Sequence, residues 1–236
     1  MRLDKAITLS GLTRTEAKKA IAQGRVTVQG ARATDPALHV DPADVSLDST
    51  PIQPPEELYI MVHKPAGVLT ATEDRRLPTV LDLLPPELKR RAPGPVGRLD
   101  RDVTGLVLLT TDGQLAHRLI SPKWKAEKRY RATCEGRLTP QDVRAFADGL
   151  TLSDFTARPA KLEILRADDD TSTADVILTE GKFHQVKRMF AAVHHPLIAL
   201  QRLQIGPLTL DPDLSPGAFR PLKDSELNAL KALVDL

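Results

Sequence analysis

Two carboxylates, Asp100 and Asp102, stand in Gly97-Arg98-Leu99-Asp100-Arg101-Asp102-Val103-Thr104-Gly105, each preceded closely by an arginine. Directly after them comes Leu106-Val107-Leu108-Leu109-Thr110, a short apolar run with no polar alternation that ends at Asp112-Gly113. Such a run reads as a strand buried on both faces. A carboxylate at the mouth of a buried strand lies at the edge of the core. A nearby cation can hold it ionised there, ready to act as nucleophile, base or charge stabiliser. Aspartate is also a common turn residue, and on local pattern alone the two readings stand even.

Other chemistries find little support. The six histidines show no ligand spacing beyond the adjacent His194-His195, and the single Cys134 cannot build a structural zinc site. No phosphate-binding glycine loop and no GxSxG elbow occurs. What remains is a carboxylate, a basic residue and an aromatic, in separate segments.

The elements that must position them follow from periodicity. A chain of 236 residues with 41% hydrophobic and 27% charged content can bury a sizeable core. No apolar run approaches the roughly 18 residues of a membrane span, the N-terminus lacks a signal-like apolar core, and the lone cysteine suits a reducing cytoplasm. Residues 2–9 read as a short helix, and Thr13-Arg14-Thr15-Glu16 as a capping box opening a second helix that stops at Gly24. Val26 and Val28 alternate as a strand. Three prolines in residues 49–56 mark a linker, giving an N-terminal domain over 1–48 and a larger one over 57–236. In the larger domain, strands are expected at 58–62, 106–109, 130–134, 162–165 and 174–178. Helices are expected near 79–84, 114–120 and 139–150, over 184–193 with Val186, Met189, Phe190 and Val193 inward, and at the C-terminus. This mixture predicts an α+β fold with a mainly antiparallel sheet.

Net charge is only +2, but it is segregated. Residues 1–34 carry seven Lys/Arg against two acids, residues 35–58 carry six acids and no Lys/Arg, and His117–Arg131 carries six Lys/Arg against Glu127 with Trp124 and Tyr130 interleaved. Basic patches with aromatics point to nucleic acid.

Leu3-Asp4-Lys5, Thr15-Glu16-Ala17-Lys18 and Gly24-Arg25-Val26-Thr27-Val28-Gln29-Gly30 resemble an S4-type RNA-binding domain. Four later segments, in order, resemble the pseudouridine synthases: His63-Lys64-Pro65-Ala66-Gly67, Gly97-Arg98-Leu99-Asp100 with Thr104-Gly105, Glu127-Lys128-Arg129-Tyr130, and Glu180-Gly181-Lys182-Phe183-His184-Gln185-Val186-Lys187-Arg188-Met189-Phe190. Lys187 and the Met-Phe that follows are similar to the RsuA-type branch. Val103, where threonine is common, and Lys182-Phe183, where Arg-Tyr is frequent, depart from the pattern without touching the expected active groups.

The resemblance implies a pseudouridine-synthase fold, a mainly antiparallel mixed sheet flanked by helices, with a small S4-like α/β domain ahead of it. It implies Asp100 as the catalytic aspartate, Tyr130 packed on the target base and Lys187 as the basic partner, with Arg188 the less favoured candidate. Expected RNA contacts are Arg98, Arg14, Lys18, Lys19, Arg25, Lys64, Lys128, His184, Gln185 and Arg188. The implied reaction isomerises one uridine of small-subunit (16S) ribosomal RNA, without cofactor or metal, in a cytoplasmic monomer with no membrane partner. A large-subunit (23S) target is the alternative. A non-catalytic S4-type assembly factor and a glycoside hydrolase using both aspartates are the remaining rivals; aromatics at 3% speak against the sugar groove the last would need.

Overall fold

The computed structural model describes residues 1–53 and 56–236 and divides into two units, Met1–Glu56 and Glu57–Leu236. In the first unit, α1 (Leu3–Ile7) continues into a 3₁₀ turn over Thr8–Ser10. The next helix, α2 (Arg14–Ala22), opens on the expected capping box: Glu16 N–H donates to Thr13 Oγ1 at 3.3 Å, and Thr13 N–H donates to the Glu16 carboxylate at 2.8 Å. Ala17 and Ala20 are small enough to let α2 lie close to Leu3, Ala6 and Ile7 of α1, and with Ile21 all six are buried. Beside the helices runs a four-stranded sheet, order β2-β1-β3-β4, built of β1 (Val26–Val28), β2 (Ala31–Arg32), β3 (Val45–Leu47) and β4 (Thr50–Pro51).

The linker expected from residue 49 therefore starts later. Pro51 fits β4 because an edge strand has no second neighbour that needs its missing N–H. Ile52 donates its N–H to Val45 O at 2.8 Å and buries its side chain in the first unit's core. Pro54 and Pro55, the other two prolines of that linker, lie outside the described residues.

The second unit contains β5 (Tyr59–Lys64), α3 (Pro86–Arg90), β6 (Gly94–Pro95), β7 (Thr104–Thr110), α4 (Gly113–Ile120), β8 (Lys128–Glu135), α5 (Pro140–Asp148), β9 (Lys161–Ala167), β10 (Thr171–Leu178), α6 (Gln185–Ala192), β11 (Leu197–Ile205), β12 (Leu208–Thr209), β13 (Phe219–Pro221) and α7 (Asp224–Leu233). A nine-stranded sheet runs β13-β5-β7-β11-β8-β10-β9, with β12 on β11 and β6 on β7. Every pairing between these strands is antiparallel except β7 with β11.

The apolar run behaves as its pattern requires. Val107 and Leu109 of β7 enter the cluster completed by Phe146 of α5 and Met189 and Phe190 of α6. Leu106 and Leu108 point the other way, to Leu115 and Leu119 of α4 and Leu230 of α7. All four are 0% exposed; with helices on both faces, neither set of alternate positions tolerates a polar side chain. Each buried leucine or valine contributes roughly 1.5–3 kcal/mol.

At the start of β7, Thr104 and Gly105 pair in parallel with Gln201 and Arg202 of β11. Gly105 has φ +105°, and a Cβ there would lie 2.2 Å from the Arg202 carbonyl oxygen. Only glycine admits so close a neighbour at that φ. No helix among the described residues is long and apolar enough to cross a membrane.

Candidate active site

Asp100 lies on the loop between β6 and β7, and that loop is bolted to the end of β5 and the turn beyond it. Leu99 N–H donates to Thr70 Oγ1 at 3.2 Å while Thr70 Oγ1 donates to Leu99 O at 3.0 Å. Gly67 N–H donates to Arg101 O at 2.8 Å. Lys64 closes the arrangement. Its side chain is fully buried, and Nζ donates to the carbonyls of Pro65 (2.9 Å), Arg101 (3.1 Å) and Val103 (2.7 Å). Burial draws the Lys64 pKa down to about 8, with Asp102 and Asp100 pulling the other way. Lys64 was expected as an RNA contact; it is not one, because all three ammonium donors are turned inward onto backbone.

The cation facing Asp100 comes from α6. His184, the residue before the helix, takes a left-handed conformation at φ +50°, which bends the chain so that the first turn of α6 meets the acidic loop. Lys187 Nζ lies 3.1 Å from Asp100 Oδ2 and 2.7 and 2.9 Å from the two oxygens of Asp102. His184 Nε2 is 3.4 Å from Asp100 Oδ1. Burial lowers the Lys187 pKa, but hydrogen bonds to Asp102 and Asp100 outweigh it and leave the ammonium raised. The same bond holds Asp102 below its ordinary value. Asp102, for which the local pattern left the turn reading and the active-group reading even, thus shares the lysine with Asp100.

Two neighbours are engaged elsewhere. Arg188 pairs with Asp154, donates to Ser153 Oγ at 3.0 Å and lies over the Phe155 ring, so it does not join the Asp100 cluster. Gln185 is buried and accepts from Lys182 N–H at 2.9 Å while donating to Glu180 at 2.6 Å. Its amide shapes the loop before α6 and is not free for RNA, which corrects that expectation.

Tyr130, 8% exposed on β8, walls a cleft whose lining also includes Asp100, Lys187, Arg98, Leu178 and Leu200. A carboxylate beside a cation, a flat ring and two aliphatic walls can hold a planar base and place negative charge at an attached sugar carbon. Thr70 and Leu200 were missed in the sequence. Thr70 follows no local motif, and Leu200 lies on β11, which was not read as a strand.

The basic clusters disperse on folding. Strand alternation turns Arg129 and Arg131 to Glu163 and Asp175, while Lys128 shares the Tyr130 face and lines a neighbouring cleft. Arg118 donates to the carbonyls of Val234 and Asp235 at the C-terminal end of α7. In the first unit, Arg2 and Arg14 bind buried Asp4 and hold its carboxyl at about 2. Arg25 pairs with Asp48, and Lys18 and Lys19 are exposed on α2.

Residues 58–192 match the family described as RNA pseudouridylate synthase, and residues 1–46 match the S4 domain. An uncharacterized RNA pseudouridine synthase of Bacillus subtilis is 43% identical over 98% of both chains. Ribosomal small subunit pseudouridine synthase A of Escherichia coli is 42% identical, covering 96% of this chain and 98% of its own. A crystal structure of a pseudouridylate synthase, 38% identical, superposes with a TM-score of 0.70 over 98% of this chain and 99% of its own. With its acidic loop, facing lysine and tyrosine wall on that fold, the chain belongs to the RNA pseudouridylate synthase family and carries an S4 domain ahead of the catalytic unit.

Proposed function

We propose that this enzyme isomerises a single uridine of small-subunit ribosomal RNA to pseudouridine, with Asp100 as the essential carboxylate and no cofactor. The observation that carries the reading is the Asp100–Lys187 pair, 3.1 Å apart, opening into the cleft walled by Tyr130. Uridine and pseudouridine contain the same atoms at the same oxidation level, so the reaction needs no external oxidant, reductant or group donor. The N-glycosidic bond breaks, the uracil turns, C5 bonds to C1′ and gives up its proton, and N1 takes one up, so that atoms and charge balance. Ionised Asp100 serves at the sugar, as nucleophile or as base, while positive charge develops there. Lys187 keeps that carboxylate oriented and counter-charged in a partly dry cleft. The Tyr130 ring holds the base while it rotates. A uridine inside a folded RNA must leave its stack, which costs a few kcal/mol; contacts of the S4 unit and of Arg98 to phosphate supply affinity against that cost.

The full-length likeness to the small-subunit enzyme supports this target, and the appended S4 unit suits a large folded RNA because it adds a second RNA contact by effective concentration. The test maps pseudouridine in ribosomal RNA from cells with and without the gene and adds purified enzyme to RNA from the deletion strain. One small-subunit site should vanish and be restored. Restoration at a large-subunit site, with small-subunit RNA untouched, would overturn the target and leave the isomerisation standing.

A further inference from the structure

Next to the Asp100 cleft is a second one with an unusual charge balance. Arg98, Tyr130 and Gly181 line both. The second is completed by Lys128 and Arg202 among apolar side chains that include Leu119 and Ile205, and no carboxylate lines it. Arg202 is 3% exposed. Its Nε donates to Leu106 O at 2.8 Å, and its Nη2 has no hydrogen-bond partner among the described residues. No ion pair among those residues involves Arg202, whereas Arg129, Arg131 and Arg220 of the same unit all face acids. Lys128 is half-buried, and burial together with Arg202 pushes its ammonium pKa down.

A buried guanidinium without a counter-charge is unfavourable, since neither water nor a carboxylate replaces the solvation it has lost. A second cation beside it adds repulsion in a medium of low polarity. Such a pair binds an anion of matching size far better than the same groups in open water would. The register explains how the cations come to share one place. Arg202 lies directly opposite Tyr130 across the β11–β8 ladder, so both side chains fall on one face, and Lys128 follows on that face two residues from Tyr130.

We propose that this cleft holds a phosphate of the RNA strand at the uridine seated in the Asp100 cleft, with Arg202, Lys128 and Arg98 as its cationic partners. The inference rests on the reading of the Asp100 cleft as the uridine site. The substrate brings the missing counter-charge with it, so that one face of Tyr130 serves the base and its far side serves the backbone. A strand that cannot place a phosphate there leaves the two buried cations unpaired.

Uridine and its 5′- and 3′-monophosphates, titrated calorimetrically into the full-length protein, test this without any ribosomal RNA. One monophosphate should bind at least tenfold tighter than uridine. Arg202→Met and Lys128→Met should each remove most of that preference and leave uridine affinity within about twofold. Arg202→Met removes a buried charge that has no counter-charge among the described residues, but also the Nε–H donated to Leu106 O, so the two effects oppose and its Tm should move little; should it fail to fold, Lys128→Met carries the test alone. Inorganic phosphate should compete with the monophosphate and not with uridine. The proposal falls if neither monophosphate outbinds uridine, or if the preference survives both substitutions. It also falls if free phosphate binds tightly while a monophosphate gains nothing over uridine, which would make this a free-anion site. A wrong ribosomal target leaves these titrations unaffected, and loss of uridine binding itself would refute the Asp100-cleft reading instead.

Discussion

Replacing Lys64 by methionine tests whether a buried ammonium holds the acidic loop in place. Methionine preserves most of the stem and removes the donor. Arg101 O keeps the Gly67 N–H, but the Pro65 and Val103 carbonyls lose the only hydrogen bonds described for them. Leaving the buried Val103 carbonyl unsatisfied costs about 1–3 kcal/mol, and the part-buried Pro65 carbonyl, which water can reach, adds about 0–1. The ammonium is itself unfavourable to bury. A pKa drawn from 10.5 to about 8 corresponds to about 3 kcal/mol, at about 1.4 per unit. The two effects leave a net change between about 2 kcal/mol gained and about 1 lost. The fold should survive while the carboxylate loses its fixed position, and turnover should fall at least tenfold, the equivalent of about 1.4 kcal/mol of barrier.

The pH dependence has a definite sign. Between about pH 8 and the unfolded value of 10.5, the unfolded chain holds a proton at Lys64 that the native chain has released. This group therefore makes stability rise with pH in that window. Turnover moves oppositely, because deprotonation through about pH 8 removes a donor from the loop. Single-turnover rates across that range, with melts alongside, should show wild type converging on the lower rate of Lys64→Met, while their stability difference shifts in wild type's favour. Wild-type turnover in Lys64→Met at neutral pH would refute the reasoning, as would weakened RNA affinity with turnover intact.

Asp100→Asn should fold, bind RNA and show no turnover in a tritium-release assay, whereas Asp102→Asn should stay within about tenfold of wild type, the scale of one exposed charge contact; equal losses would favour a two-carboxylate mechanism. Gly105→Ala forces a Cβ to within 2.2 Å of the Arg202 carbonyl at φ +105°, so denaturant unfolding should show a loss of about 3 kcal/mol or more. Removing residues 1–56 should raise KM far more than it lowers kcat. It should also lower the log–log salt slope of binding by about 0.9 for each duplex phosphate that the S4 unit had neutralised; an unchanged slope would mean that Lys18 and Lys19 meet solvent only.

Elements with one dominant periodicity were legible in the sequence. The unbroken run at 106–109, the capping box at Thr13 and the inward set Val186, Met189, Phe190 each carry their own explanation, and the α+β class follows from them. What escaped was β11. Its register against β8 shifts twice, between Leu197 and Ala199 and between Arg202 and Gln204, and each irregularity resets the alternation that marks a strand. Short strands such as β4 and β12 escaped because two residues carry no period. At the site, residue types could be read but not their competition. Asp102 takes the shorter contacts to Lys187 because the turn brings both carboxylates under α6, a geometry that no spacing encodes. Charge counts misled for a related reason, since Arg129 and Arg131 meet acids that are remote in sequence.

The close pairing at Gly105 also sets a timetable for synthesis. The bond from Arg202 to Leu106 spans 96 residues, and that from Lys187 to Asp102 spans 85. At roughly 5–20 residues per second, the strand that completes the sheet leaves the ribosome about 5–20 s after the acidic loop. During that interval the chain carries its aspartate but neither the facing lysine nor the strand that closes the cleft. Competence to modify RNA is therefore acquired late and all at once, after nearly the whole catalytic unit has been made.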